Sequence, residues 1–400
     1  MNGATQAPRR WRMLGVAMFG QIAGTVFVNG APFLIAFLRD DRGLTLQQAG
    51  LVVAAPFAGT MVSLVLWGLI VDRIGERASM SIGLAIVTVG ALGAALSSSL
   101  TTLALWFLLG GIGAGSTNSA SGRIVVGWFP AHRRGTAMGI RQTALPLGVG
   151  VGALLVPNVV QAEGLRTTLL IVAGIAAVAT ILSAVLLADP PRPTRAQAAD
   201  RGQLANPYRR DNRLTRIHLA SALLVVPQFT VWTYMLVWLT DDKGWSTFAA
   251  SALVASTQVL GAAGRIGAGW WSDLVGSRLG PMRIVAIAAT ATMLALGLLS
   301  GTPLGIALIV LATAITVADN GLAFTSVAEI GGPYWSGRAM GLQNTGQYIV
   351  SALVPPVMGA VVDGRGYGFA FAAVAIFPLL AIPLVPVRGE RLTPTTHSQA

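Results

Sequence analysis

The chain has 400 residues, of which 54% are hydrophobic and only 10% charged, and its mean hydropathy is +0.68. Soluble domains carry about 25% charged residues, so this composition excludes an ordinary water-soluble fold. There is no cysteine, and His132, His218 and His397 lie far apart in sequence, which excludes a disulfide framework and cysteine catalysis and leaves no metal or other cofactor to expect.

Arg9, Arg10 and Arg12 precede an apolar run from Met13 to Leu38. That run exceeds the 7–15 residues of a signal peptide's core and reads as a first membrane span. Further apolar segments follow at 50–71, 79–99, 103–126, 137–160 and 165–188. A polar stretch, 189–216, then carries Pro190, Pro191, Pro193, Pro207 and seven arginines. Six more segments follow at 217–240, 247–271, 283–301, 303–328, 339–362 and 367–387. Lipid admits only helices and closed barrels, and the alternation of barrel strands is absent. The expected fold class is therefore all-α and polytopic, with twelve transmembrane helices. Its expected organisation is an N-terminal six-helix half (1–188), a linker (189–216) and a C-terminal six-helix half (217–400) ending in a short tail.

The net charge of +12 would suggest nucleic acid in a soluble protein. Here the basic residues fall mainly in loops, and no nucleic-acid partner is expected. With the N-terminus inside, the outer loops hold five basic residues (Arg39, Arg42, Arg166, Lys243 and Arg365) and the remaining 22 lie in inner loops or spans. Positive charge marks the cytoplasmic side, so both termini and the linker are expected in the cytoplasm.

The sequence also repeats itself. "LRDDRGLT" at Leu38–Thr45 recurs as "LTDDKGWS" at Leu239–Ser246, displaced by 201 residues. Gly68, Asp72, Gly75 and Arg77 recur at the same displacement as Gly269, Asp273, Gly276 and Arg278. "GTAMGIRQT" at Gly135–Thr143 recurs as "GRAMGLQNT" at Gly337–Thr345, and Asn118 as Asn320, both displaced by 202. A constant displacement implies a duplicated six-span unit. Six is even, so both copies insert with the same orientation, a parallel pseudo-symmetry that frames a central site near the membrane midplane.

The stretch Gly68–Arg77 reads G-x-x-x-D-R-x-G-E-R, which resembles the signature loop between spans two and three of the major facilitator superfamily. Gly269–Arg278 is a degenerate second copy, and with the twelve spans the resemblance covers nearly the whole chain. It implies a gating latch built from Gly68, Asp72, Arg73, Gly75 and Arg77 and from Gly269, Asp273, Gly276 and Arg278. Gly68 permits close helix approach, Asp72 can face the positive N-terminus of a neighbouring helix, and Arg73 and Arg77 can pair with acids or lipid phosphates. Glu76 stands where the family usually has a basic residue, so the latch is expected to be weaker or rewired. The run "GWFPAHRRGTAMG" at Gly127–Gly139 resembles the family's loop between spans four and five and reads as anchoring and packing.

Charged residues inside spans are costly and often functional. Arg265, in R-x-x-x-G-x-x-x-D at Arg265–Asp273, resembles the span-eight arginine that contacts the substrate carboxylate in monocarboxylate and oxalate–formate carriers. Its always-charged bidentate fork suits that task; the bland alternative is a structural arginine. Asp319, an acid in the middle of a span, can carry a proton in coupling or sit in a fixed salt bridge to Arg265 or Arg141. Asn29, Asn118, Arg141, Gln142, Gln228, Asn320, Gln343 and Asn344 are further candidates to line the cavity, with Trp232, Tyr234, Gln347 and Tyr348 beside them. Each polar group can equally serve as an interhelical hydrogen bond.

The expectation is a secondary transporter of the inner (plasma) membrane, not an enzyme. It would act as a monomer among membrane lipids, moving a small organic solute, perhaps an anion, by alternating access and drawing on the proton gradient. The alternative is a multidrug exporter. Drug antiporters usually carry an arginine in span four ahead of a Gly-x-Gly run, and here Trp106 or an apolar neighbour stands at that place.

Overall fold

The computed structural model describes the chain except residues 1–2, 35–36, 39–40, 42, 44–45, 191–198, 201–203, 389 and 391–400. Much of the linker, His397 and most of the Leu38–Thr45 repeat therefore lie outside the described residues. The described residues form helices, without strands: α1 (Gly3–Gly30), α2 (Leu46–Ile74), α3 (Glu76–Ala95), α4 (Leu100–Trp128), α5 (Ala131–Gln142), α6 (Ala144–Leu186), α7 (Arg213–Val237), α8 (Thr247–Val275), α9 (Leu279–Leu299), α10 (Leu304–Ile315), α11 (Asp319–Val374) and α12 (Ile376–Leu384). Among them are nine stretches long and apolar enough to cross a membrane.

Helix numbers and spans do not correspond one to one, because some helices run through two spans. Within α6, Gly164 adopts φ +79° and separates the expected spans 137–160 and 165–188. Within α11, Gly332 (φ +67°) and Gly366 (φ +78°) break the run in the same way. A side chain is strained at such angles, so glycine marks where a continuous helix changes direction. Each of the twelve expected spans thus finds a helical counterpart.

Why these helices suit lipid is plain on α9. Met282, Val285, Ala286, Ala289, Met293 and Leu296 are buried, while Ile284, Ile287, Leu294 and Leu298 are exposed. A helix apolar all round has no face for water.

The chain forms two compact units. The first contains Met1–Trp128, Thr143–Ala205 and Gly331–Thr345. Its apolar core gathers Val26, Phe27, Val87, Phe107, Val156 and Val172, with Phe27 and Phe107 edge to face at 5.7 Å. The second contains Phe129–Gln142, Asn206–Ile330 and Gly346–Ala400. Its core gathers Met235, Trp238, Met293, Ile309 and Phe371, with Trp238 and Phe371 edge to face at 5.8 Å. Each unit is thus one sequence half that has given up a short segment and taken in another. The exchanged segments, 129–142 and 331–345, contain Gly135–Gln142 of one repeat copy and Gly337–Thr345 of the other.

The expected span 303–328 is not one continuous helix. The α10 helix ends at Ile315 and α11 starts at Asp319. In between, Ala318 N donates to Ile315 O and Asn320 N to Val317 O, a tightened turn that puts Asp319 and Asn320 at the head of a new helix. No glycine or proline announces this break. Its only local sign is Thr316, whose hydroxyl returns to Ala312 O at 2.7 Å and competes with the backbone ladder.

Candidate functional site

Each signature loop heads a buried charge cluster, and each cluster lies within one unit. In the first unit, Asp72 ends α2 and is 8% exposed. Its Oδ1 accepts from Arg123 Nη1 (2.6 Å) and Gly337 N (3.1 Å), and its Oδ2 from Arg338 N (3.1 Å) and Arg338 Nε (2.9 Å). Arg123 Nε also pairs with Glu76 at 3.1 Å, and its Nη2 donates to Pro333 O at 2.7 Å. A Cβ on Gly68 would collide with the carbonyl of Gly337, so glycine is what lets Asp72 reach those amides. One buried arginine on α4 thus joins both acids of the loop. Arg73 and Arg77 are exposed, and Arg77 Nε donates to Ala184 O at 2.7 Å.

The second cluster has the same outline. Asp273, near the end of α8, accepts from Gly135 N (3.0 Å), Thr136 N (2.8 Å) and Thr136 Oγ1 (2.7 Å). Its ion-pair partner is Arg278, 1% exposed, at 2.5 Å. Arg278 also reaches Ser272 Oγ, Ala131 O and Glu329, and Glu329 pairs with Arg134 at 3.4 Å. A Cβ on Gly269 would meet the Gly135 carbonyl, as at Gly68. Gly276 closes α8 in the left-handed conformation at φ +63°, the usual glycine C-cap.

The substrate candidates divide between the units. Asn29, Asn118, Gln343 and Asn344 fall in the first. There Gln21 Nε2 donates to Asn118 Oδ1 at 3.2 Å, and Ser121 Oγ to Gln21 Oε1 at 3.1 Å. Asn344 Nδ2 turns back to Met340 O at 3.0 Å, Gln343 is buried and Asn29 is half-buried.

Arg141, Gln142, Gln228, Arg265, Asp319 and Asn320 fall together in the second unit. Asn320 Nδ2 donates to Gln228 Oε1 at 2.9 Å. Gln347 Nε2 donates to Asn320 Oδ1 at 3.3 Å and to Ser221 Oγ at 2.6 Å. Beside this neutral amide chain lie three buried charges. Arg141 packs over the Phe324 ring at 5.7 Å and donates to Gln142 Oε1 at 3.0 Å. Arg265, 3% exposed, stands 5.8 Å over the Trp232 ring, and its Nη1 donates to Gln142 O at 3.4 Å.

Three polar atoms here are buried without a hydrogen-bond partner among the described residues: Arg265 Nε, Trp232 Nε1 and Asp319 Oδ2. Among the described residues no ion pair is seen between Arg265 and Asp319, one of the two arginines weighed as a fixed partner for that acid. Leaving such groups unsatisfied costs roughly 1–3 kcal/mol each.

Symmetry singles out the same residues. At the repeat displacement, Arg265 corresponds to Leu64, Asp319 to Thr117 and Arg141 to Gln343. All three buried charges occur in the second unit, at positions where the other copy is neutral. The sequence reading missed Arg123, Glu329, Arg338, Gln21 and Ser221. Arg123 lies within the apolar run 103–126 and was visible as an intramembrane charge, whereas Glu329 falls just past the run 303–328. The partners of Arg338, Gln21 and Ser221 carry no local signal.

A family model described as the Major Facilitator Superfamily matches residues 14–355. The MFS-type transporter Rv2994 of Mycobacterium tuberculosis (strain ATCC 25618 / H37Rv) is 44% identical over 381 residues, covering 95% of this chain and 85% of that protein. The probable sulfoacetate transporter SauU of Cupriavidus necator is 26% identical, covering 82% of each chain. Among solved structures, the transporter FucP in its outward conformation superposes with a TM-score of 0.77 at 17% identity, covering 94% of this chain and 99% of that one, a likeness of fold.

Proposed function

The chain belongs to the major facilitator superfamily of multi-pass membrane transporters, and from that premise we propose that it carries a small organic anion across the plasma membrane by alternating access, coupled to protons. The observation that carries this reading is Arg265: a buried guanidinium beside Trp232, with Arg265 Nε and Trp232 Nε1 both lacking a hydrogen-bond partner among the described residues. A permanently charged fork held out of water suits a carboxylate or sulfonate, and the bound anion would satisfy donors that the protein leaves unsatisfied. The relative named as a sulfoacetate transporter is consistent with a substrate of that kind. Asp319 heads α11 with one free carboxylate oxygen and is the proposed proton carrier. Asp72 and Asp273 are the proposed latch acids, each of which would release backbone amides when the cytoplasmic side opens.

The test is ligand-induced thermal stabilisation of the purified protein with a panel of small carboxylates, sulfonates and hydrophobic cations. A ligand at about 100 times its dissociation constant adds roughly 2.7 kcal/mol of stability. Stabilisation by an anion is expected in the wild type, lost in Arg265→Gln, and kept in Asp319→Asn without its dependence on pH. Stabilisation by cations that survives Arg265→Gln would overturn the anion reading in favour of drug export.

A further inference from the structure

The repeat continues where the motifs do not reach. Asp189 and Glu390 are 201 residues apart, the displacement that relates Arg77 to Arg278. Each follows the last span of its sequence half, and each accepts from the backbone of the matching arginine. Asp189 Oδ1 accepts from Arg77 N at 2.9 Å. Glu390 Oε1 accepts from Arg278 N at 2.6 Å and Leu279 N at 3.0 Å, and its Oε2 from Ser277 Oγ at 2.5 Å. Two carboxylates from otherwise dissimilar segments therefore perform one task at symmetric places.

The consequence differs between the copies. Arg77 is exposed. Arg278 is buried, and its side chain binds Asp273, Ser272 and Ala131 O while its own amide is held by Glu390. Asp273 in turn holds the amides of Gly135 and Thr136 at the start of α5. The carboxylate of Glu390 also lies at the N-terminus of α9, where the helix dipole favours negative charge. A continuous chain of contacts thus runs from the C-terminal segment through Arg278 and Asp273 to α5.

We propose that Glu390 is a positioning residue of the transport cycle: by fixing Arg278 it sets how readily α5 parts from the end of α8, with Asp189 as its weaker counterpart at Arg77. Glu390 is then a gating contact, and anything that displaces it loosens one latch and leaves the other intact. The inference needs no substrate, so it stands or falls separately from the anion reading.

Amide hydrogen exchange on the full-length protein in detergent tests it. Glu390→Gln should speed exchange at Gly135 and Thr136 by about tenfold while Gly337 and Arg338 stay unchanged. Asp189→Asn should leave Gly135 and Thr136 unchanged. Ser277→Ala, which removes one of the three contacts, should give a smaller rise at Gly135 and Thr136, and it decides the matter if Glu390→Gln does not fold. No rise at Gly135 and Thr136, or an equal rise at Gly337 and Arg338, would overturn the proposal, since a merely structural loss would not discriminate between the two latches.

Discussion

The cluster at Asp72 and the cluster at Asp273 occupy the same place in the repeat, yet they draw their charges from different elements. Around Asp72 the buried cation comes from the span helix α4, as Arg123, and the second acid from the loop, as Glu76. Around Asp273 the cation comes from the loop, as Arg278, and the second acid from the span helix α11, as Glu329. Thr325 stands where the repeat would place Arg123, and Ser277 where it would place Glu76. Both clusters nevertheless balance two acids with two arginines: Asp72 and Glu76 with Arg123 and Arg338, Asp273 and Glu329 with Arg278 and Arg134. What the repeat has kept is neutrality and the carboxylate–amide contact, because a buried net charge is what low-dielectric surroundings penalise most.

The largest effect expected from breaking this balance is at Arg123. Arg123→Met removes the arginine that pairs with both Asp72 and Glu76, and removing one partner of a buried pair costs about 3–5 kcal/mol. A thermal or denaturant unfolding measurement in detergent should show it, and an unchanged midpoint would mean that the acids had found another cation. Arg278→Met should cost less, roughly 3 kcal/mol at the lower end of that range, because Glu329 keeps its ion pair with Arg134, while Asp72 and Asp273 each keep three other donors. Equal losses for the two variants would show that the two wirings are energetically the same. The smallest and most symmetric effect is expected at the glycines. Gly68→Ala and Gly269→Ala each drive a Cβ against a backbone carbonyl, an overpacking cost of about 1–3 kcal/mol. The two costs should match, since the close approach is what the copies share.

The Gly75 and Gly276 turns and the loop acids were legible because a tight turn leaves its signature in consecutive residues. The candidate site was legible only as a set of types. Arg265 and Asp319 announce themselves as charges inside apolar runs, but whether they pair depends on where α8 and the head of α11 come to lie. The break after Ile315 has no glycine or proline to mark it. The match of Asp189 to Glu390 was present in the numbering and went unread, because neither residue lies in a recognisable motif.

The sequence by itself determined the class of the protein. Apolar runs of span length without the alternation of barrel strands can be satisfied in lipid only as helices, and a fixed displacement between motifs means duplication with parallel insertion. Tertiary structure alone decided which charges meet: Arg123 rather than Arg73 or Arg77 at Asp72, Arg278 at Asp273, Glu390 at Arg278 and, among the described residues, no hydrogen-bond partner on Arg265 Nε. Spans follow from a local balance between side chains and solvent, which each stretch of chain carries with it. Pairing of buried charges depends on the approach of segments as far apart as Asp72 and Arg338, 266 residues along the chain, and no stretch of chain carries that information alone.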